Sequence, residues 1–219
     1  MAVPGRRIPA SRDARLEKDV SRILATIPDD AQAPPNTAPV LILTIGLPGS
    51  GKSTFCRLLA PLIDAAILES DALRRLLFEE PTHAPAESRR LFDALHAAAR
   101  ELLNHGRNVI IDATSLRESD RRPVYKIAEE TGVNLIQLRF SAPSDVIQQR
   151  LSNRMESPAA EDNSSAGLSI YRRMAATAEA PQREYWKIDT SNDETIEAVM
   201  NRVVEACRYS ARRVMGGTS

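Results

Sequence analysis

Residues 40–54 read VLILTIGLPGSGKST, and this stretch decides the fold. Val40 to Ile45 is aliphatic and β-branched, the composition of a strand covered on both faces in a parallel sheet. Gly46, Gly51, Lys52 and Ser53 then keep the spacing G-x-x-x-x-G-K-[ST], followed by the helix-like run FCRLLAPLI. Strand, glycine-rich turn and helix together are the context that a P-loop requires. Backbone N–H groups of such a turn, at a helix N-terminus, converge on the phosphates of a nucleotide. Glycine supplies left-handed backbone angles and room for close approach. The expected cradle is Gly46, Pro48, Gly49, Ser50, Gly51, Lys52, Ser53 and Thr54. Lys52 is expected to reach the β- and γ-phosphates, the Ser53 hydroxyl to ligate Mg²⁺, and Thr54 to support the α-phosphate side. ATP and Mg²⁺ are the expected cofactors.

The rest of the chain alternates strands and helices around this motif. Residues 65–69 form a short apolar run ending in Ser70 and Asp71, so an acid follows the second strand, where ligands bind in open α/β sheets. Asp71 and Arg74 are three apart and share a helix face, with Ser70 or Asp71 as the expected cap. Such an Asp can accept a proton from an attacking hydroxyl, and the Arg can hold an anionic part of the acceptor. Residues 87–104 carry a helical apolar stripe, and Gly106 ends that helix. The strand NVIID, residues 108–112, then ends in Asp112, the Walker B arrangement that puts a carboxylate near Mg²⁺. His83 reads as a solvated loop histidine, and His96 and His105 have no assigned role.

Downstream, residues 114–130 predict a helix whose Arg117, Arg121 and Arg122 are either acceptor-cleft or solvent-facing groups. Residues 133–140 alternate as a strand. Arg150 and Arg154 follow on one helix face, before the polar stretch ESPAAEDNSSAG. Together they predict a lid that brings positive charge to the transferring group. Residues 168–178 predict a helix with Arg172 and Arg173 adjacent, and residues 185–189 a last strand. Asp189 to Ser191, at the end of that strand, are the adenine-side candidate, and residues 193–215 form a closing amphipathic helix. Ahead of the P-loop, residues 12–27 have helical apolar spacing, and a proline-rich linker spans residues 28–39. That first helix either packs on the domain or serves a partner. Residues 1–10, rich in Pro, Gly and Arg, are expected to be disordered.

The whole chain of 219 residues accommodates one α/β kinase domain, residues 40–219, behind an extension of residues 1–39. Lys plus Arg and Asp plus Glu both number 29, so bulk electrostatics do not mark a nucleic-acid binder, although a local basic cleft is compatible. Cys56 and Cys207 match neither a metal spacing nor a disulfide framework. They read as ordinary thiols of a reducing compartment. No apolar segment follows Arg6 and Arg7, and no run is long enough to span a bilayer, so the expectation is a soluble cytoplasmic protein with no membrane partner.

The set GLPGSGKST, S-D-x-x-R, IIDATSLRESDRR, RLSNR and IDTS resembles the P-loop kinases grouped around the 5′-kinase domain of polynucleotide kinase. It is similar, more loosely, to zeta toxins, chloramphenicol phosphotransferase and gluconokinase. The resemblance covers residues 40–192. It implies Asp71 as the general base and Arg74 as the acceptor clamp. It also matches Asp112, Thr114 and Leu116 to the family's D-x-T-x-L, and Arg150 or Arg154 to its lid arginine.

The expected architecture is a doubly wound five-stranded parallel sheet with the P-loop at its switch point and a small arginine-bearing lid. The expected reaction is transfer of the γ-phosphate of ATP to a hydroxyl, with an RNA or DNA 5′-hydroxyl as lead acceptor. A small-molecule or nucleotide-sugar kinase is the alternative. An ATP-binding switch with slow hydrolysis is the alternative of another class, but it gives Asp71 and Arg74 no task. No guanine-reading N-K-x-D stretch occurs.

Overall fold

The computed structural model describes residues 12–28, 38–155 and 164–215. Residues 1–10, most of the expected linker and residues 156–163 of the expected lid lie outside the described residues. Five strands, β1 (Val40–Ile45), β2 (Ala65–Glu69), β3 (Asn108–Asp112), β4 (Asn134–Ser141) and β5 (Trp186–Asp189), form one sheet in the order β2-β3-β1-β4-β5. Every pairing is parallel, with Leu41 beside both Val109 and Leu135. The chain moves outward to β2 and β3 on one side of β1, then crosses to β4 and β5 on the other. The β1 end, and hence the P-loop, therefore lies where the direction of winding reverses.

Among the described residues, eight helices cover the faces: α1 (Arg12–Leu24), α2 (Lys52–Ile63), α3 (Ser70–Leu77), α4 (Pro85–Asn104), α5 (Glu118–Thr131), α6 (Ser144–Met155), α7 (Ser164–Ala176) and α8 (Asp193–Met215). β1 feeds both cores, as its mostly aliphatic, fully buried sequence requires. Leu41, Leu43 and Ile45 pack with α1, α3, α4 and α5, whereas Val40 and Ile42 pack with α2 and α8. Helix α1 is thus part of the main core: Val20 and Ile23 are buried there beside Leu73 and Leu91.

Two of the boundaries that differ from the sequence reading do so for clear local reasons. Helix α3 starts at Ser70 with Glu69 before it, so neither Ser70 nor Asp71 is the cap. Helix α5 starts at Glu118, not residue 114, because Ser115 adopts φ 44° and Asp120 accepts a hydrogen bond from the Arg117 amide at 3.0 Å. Residues 113–117 are instead a loop at the C-terminal edge of the sheet.

Candidate active site

The P-loop is held from beneath by the neighbouring strand. The Gly46 amide donates to the Thr114 carbonyl at 3.0 Å, and the Thr44 hydroxyl donates to the Ala113 carbonyl at 2.9 Å. A side chain at Gly46 would meet the Ser50 hydroxyl at 2.8 Å and the Phe140 carbonyl at 2.9 Å, so only glycine fits. Gly49 and Gly51 take φ values of 78° and 84°, which turn the chain into α2. Lys52 opens that helix, nearly buried, and donates to the Leu47 carbonyl at 3.0 Å.

Pro48, Gly49, Gly51, Lys52 and Ser53 line a cleft of about 610 Å³. Its far wall comes from the ends of β2 and β3 and from α3: Glu69, Asp71, Arg74, Asp112 and Thr114. The geometry thereby gathers the cradle, the expected metal ligand, the expected base and the expected clamp around one space. Gly46 and Ser50 instead face a separate hollow beside β4. Thr54 and Arg150 face a third, of about 350 Å³, which shares Gly49 and Gly51 with the cleft.

Asp71 is exposed and makes no hydrogen bond or ion pair with any other described residue. That leaves its carboxylate available to an incoming hydroxyl. Arg74 is different. It is 7% exposed, bonded to Glu87 and, at 3.3 Å, to the Ser88 hydroxyl, with its Nε lacking a partner. Its guanidinium is therefore held in the wall of the cleft and not free to swing. Glu87 organises this wall. It also accepts from the Thr82 amide and hydroxyl, both at 2.7 Å, and from the His83 amide at 3.2 Å. Burial pushes its carboxyl up, but these bonds and Arg74 outweigh burial and hold it down at about 2.

Asp112 is 3% exposed. Its Oδ1 accepts from the Thr44 hydroxyl at 3.3 Å, while its Oδ2 is buried without a hydrogen-bond partner. A bare buried carboxylate oxygen is costly unless a donor or cation joins it. With the Ser53 hydroxyl lining the same cleft, the donor set is hard oxygen, the chemistry that suits Mg²⁺. No cluster of three or more His, Cys, Asp or Glu occurs among the described residues, so nothing there suggests a zinc site.

The lid side departs most from the sequence reading. Arg150 donates to the Thr190 hydroxyl and carbonyl, both at 2.8 Å, and so is docked at the end of β5 beside Gly51. The Arg154 side chain lies outside the described residues. The arginine that does line the phosphate cleft is Arg173 of α7, with Met174 beside it. No spacing signal distinguishes Arg173 from Arg172; only the place of Arg173 on the cleft does. His83, at φ 57°, also lines the cleft. Asp189, the adenine-side candidate, is engaged by its own turn. Its carboxylate is spent on the Ser191 amide (2.9 Å) and hydroxyl (2.6 Å), which lower its pKa, and it borders none of these hollows. The Thr190 hydroxyl donates to the Ser50 carbonyl at 3.1 Å.

Arg121 is fully buried and is no acceptor contact. It binds Glu118 and the carbonyls of Ser115 and Ala180, tying the loop after β3 to the segment leaving α7. Arg117 borders a hollow between α4 and α5 with Arg89, and Arg122 is exposed. Burial pushes the Cys56 thiol up, and the Cys207 thiol up to about 11, so both are inert packing groups. No helix among the described residues is long and apolar enough to cross a membrane.

A family described as an AAA domain (AAA_33) matches residues 41–181. The adenylyl-sulfate kinase of Myxococcus xanthus is 30% identical over 173 residues, covering 77% of this chain and 90% of that protein. The L-seryl-tRNA(Sec) kinase of Methanococcus maripaludis is 25% identical over 177 residues, 76% of this chain and 65% of that protein. The chain spans only 29% of the length of the uncharacterized mycobacterial relatives it matches at 31% identity. In three dimensions, the Mycobacterium tuberculosis APS kinase CysC, in complex with AMPPNP and APS, superposes with a TM-score of 0.58 at 20% identity over 76% of this chain and 98% of that one. With the sheet order, the P-loop and the family match in agreement, the chain belongs to the AAA_33 family and has the P-loop kinase fold.

Proposed function

We propose that the protein is a kinase that transfers the γ-phosphate of ATP to a hydroxyl acceptor. One observation carries this reading: the P-loop, Asp112, Asp71 and Arg74 line the same cleft, so donor and acceptor groups can meet without rearranging the sheet. Phosphoryl transfer needs alignment and charge neutralisation more than covalent chemistry. The amides of residues 49–53 and the Lys52 ammonium hold the donor's phosphates. Ser53 and Asp112 are the residues that would hold Mg²⁺, which when bound neutralises phosphate charge. Asp71 accepts the proton of the acceptor hydroxyl. Arg74, fixed by Glu87, holds an anionic part of the acceptor, and Arg173 presents positive charge from the opposite side.

The lead acceptor is a polynucleotide 5′-hydroxyl, supported by the Asp71–Arg74 spacing that resembles polynucleotide kinases. A small anionic molecule is the second reading, favoured by the similarity to an adenylyl-sulfate kinase along nearly that protein's whole length. Incubation with γ-labelled ATP and Mg²⁺ decides between them, using 5′-hydroxyl RNA and DNA oligonucleotides and, separately, adenylyl sulfate. Label entering one acceptor with wild type and not with Asp71→Ala is the expected result. Full transfer by Asp71→Ala would remove the base assignment. Phosphate release with label in no acceptor would favour a nucleotide-hydrolysing switch.

A further inference from the structure

We propose that α1, through the Asp19–Arg90 pair, is a brace that positions the acceptor wall of the cleft; this rests on the kinase reading above. Asp19 is 1% exposed and takes both nitrogens of one Arg90 fork, Nε at 2.7 Å and Nη2 at 2.8 Å. Arg90 lies on α4 and also stacks over Phe78, the residue that ends α3, at 4.9 Å from the ring centre. From α1, Arg22 donates to the Leu76 carbonyl in the last turn of α3. Farther on, the Pro28 carbonyl accepts from Arg107 at 2.7 Å, which pins the exit of α1 to the start of β3. These contacts grip the two helices that form the acceptor wall.

Position is what the wall needs. Helix α3 has 8 residues, too few to hold a direction without tertiary packing, and Asp71 sits in its first turn. One turn before Arg90 on the same helix, Glu87 fixes Arg74 and the Thr82–His83 loop. A bidentate carboxylate–guanidinium pair fixes angle as well as distance. The family match covers residues 41–181, so Arg90 lies within the matched region and Asp19 ahead of it. Asp19 and Arg90 touch no residue that would meet the reacting atoms, and both are positioning residues.

The test compares wild type, Asp19→Ala and Asp19→Glu by transfer kinetics, with whichever acceptor takes label, and by amide hydrogen exchange. For Asp19→Ala the expected result is an acceptor KM raised about tenfold, with kcat and the KM for ATP within about twofold. Faster exchange is expected in α3 and the first turns of α4, with none in β1 or α2. Asp19→Glu, which keeps the charge, should recover most of the acceptor KM. An unchanged acceptor KM, or exchange that speeds up evenly through the sheet, would overturn the brace. If wild type labels no acceptor, the kinase reading falls on its own, and exchange alone judges the brace. Acceleration confined to α3 and α4 supports it, and unchanged exchange defeats it.

Discussion

At the scale of single residues, backbone angle and hydrogen-bond count set what each position can do. Gly51 combines φ 84° with the Thr190 side chain 3.1 Å from where a Cβ would sit. A left-handed angle costs an L-residue roughly 1–2 kcal/mol, before any displacement of Thr190. Gly51→Ala should therefore lower stability by about that amount in urea titrations and weaken ATP binding in calorimetry, because Thr190 also holds Arg150. Glu87 makes a different prediction. Its folded pKa of about 2 lies below its ordinary 4.5, so the unfolded chain binds the proton more readily. Stability from this group is complete above about pH 4.5 and is lost as pH falls toward 2. Melting temperature followed over that window should fall less steeply in Glu87→Gln than in wild type. His96 behaves in the same sense at higher pH. Burial, then Arg100, hold its imidazole at about 4, below the usual 6.5, so acidification between those values favours the unfolded chain.

At the scale of elements, the loop after β3 depends on one buried guanidinium. Arg121→Ala would leave Glu118 buried without its partner and free the Ser115 and Ala180 carbonyls. A loss of about 3–5 kcal/mol in chemical denaturation is expected, larger than for Arg122→Ala on the exposed side. This is also where the sequence was least informative. β1, β2 and β3 were legible because each is a short, mostly β-branched or aliphatic run that the strand follows end to end, and β4 because its residues alternate. The P-loop was legible because its chemistry needs glycines and a lysine in fixed order. Arg121 was not, since three arginines lie close together and only tertiary partners 59 residues away decide which is buried. Arg173 was missed for the same reason. Asp189 was left undecided, because an acid at a strand end can serve a ligand or its own turn, and here Ser191 donates to it.

At the scale of the whole molecule, the doubly wound sheet followed from alternating strand and helix signals, while the order of strands came from packing. Charge is the remaining global property. The chain is neutral overall, yet exposed Arg173 faces the cleft and exposed Arg89 and Arg117 border the adjoining hollow between α4 and α5. Phe92 and Thr114 line both spaces, so the two adjoin and offer one path. If a single-stranded polynucleotide lies along it, these three arginines are the ones that release counterions on binding. Each neutralised phosphate contributes roughly −0.7 to the slope of log affinity against log salt, so a slope of roughly −2 is expected. A small acceptor held by directional bonds to Asp71 and Arg74 gives a much shallower slope. Oligonucleotide affinity measured across a salt series therefore separates the two acceptor classes independently of turnover. Arg89→Ala should reduce the slope by one phosphate's worth if the polynucleotide follows this path, and an unchanged slope would take the strand elsewhere.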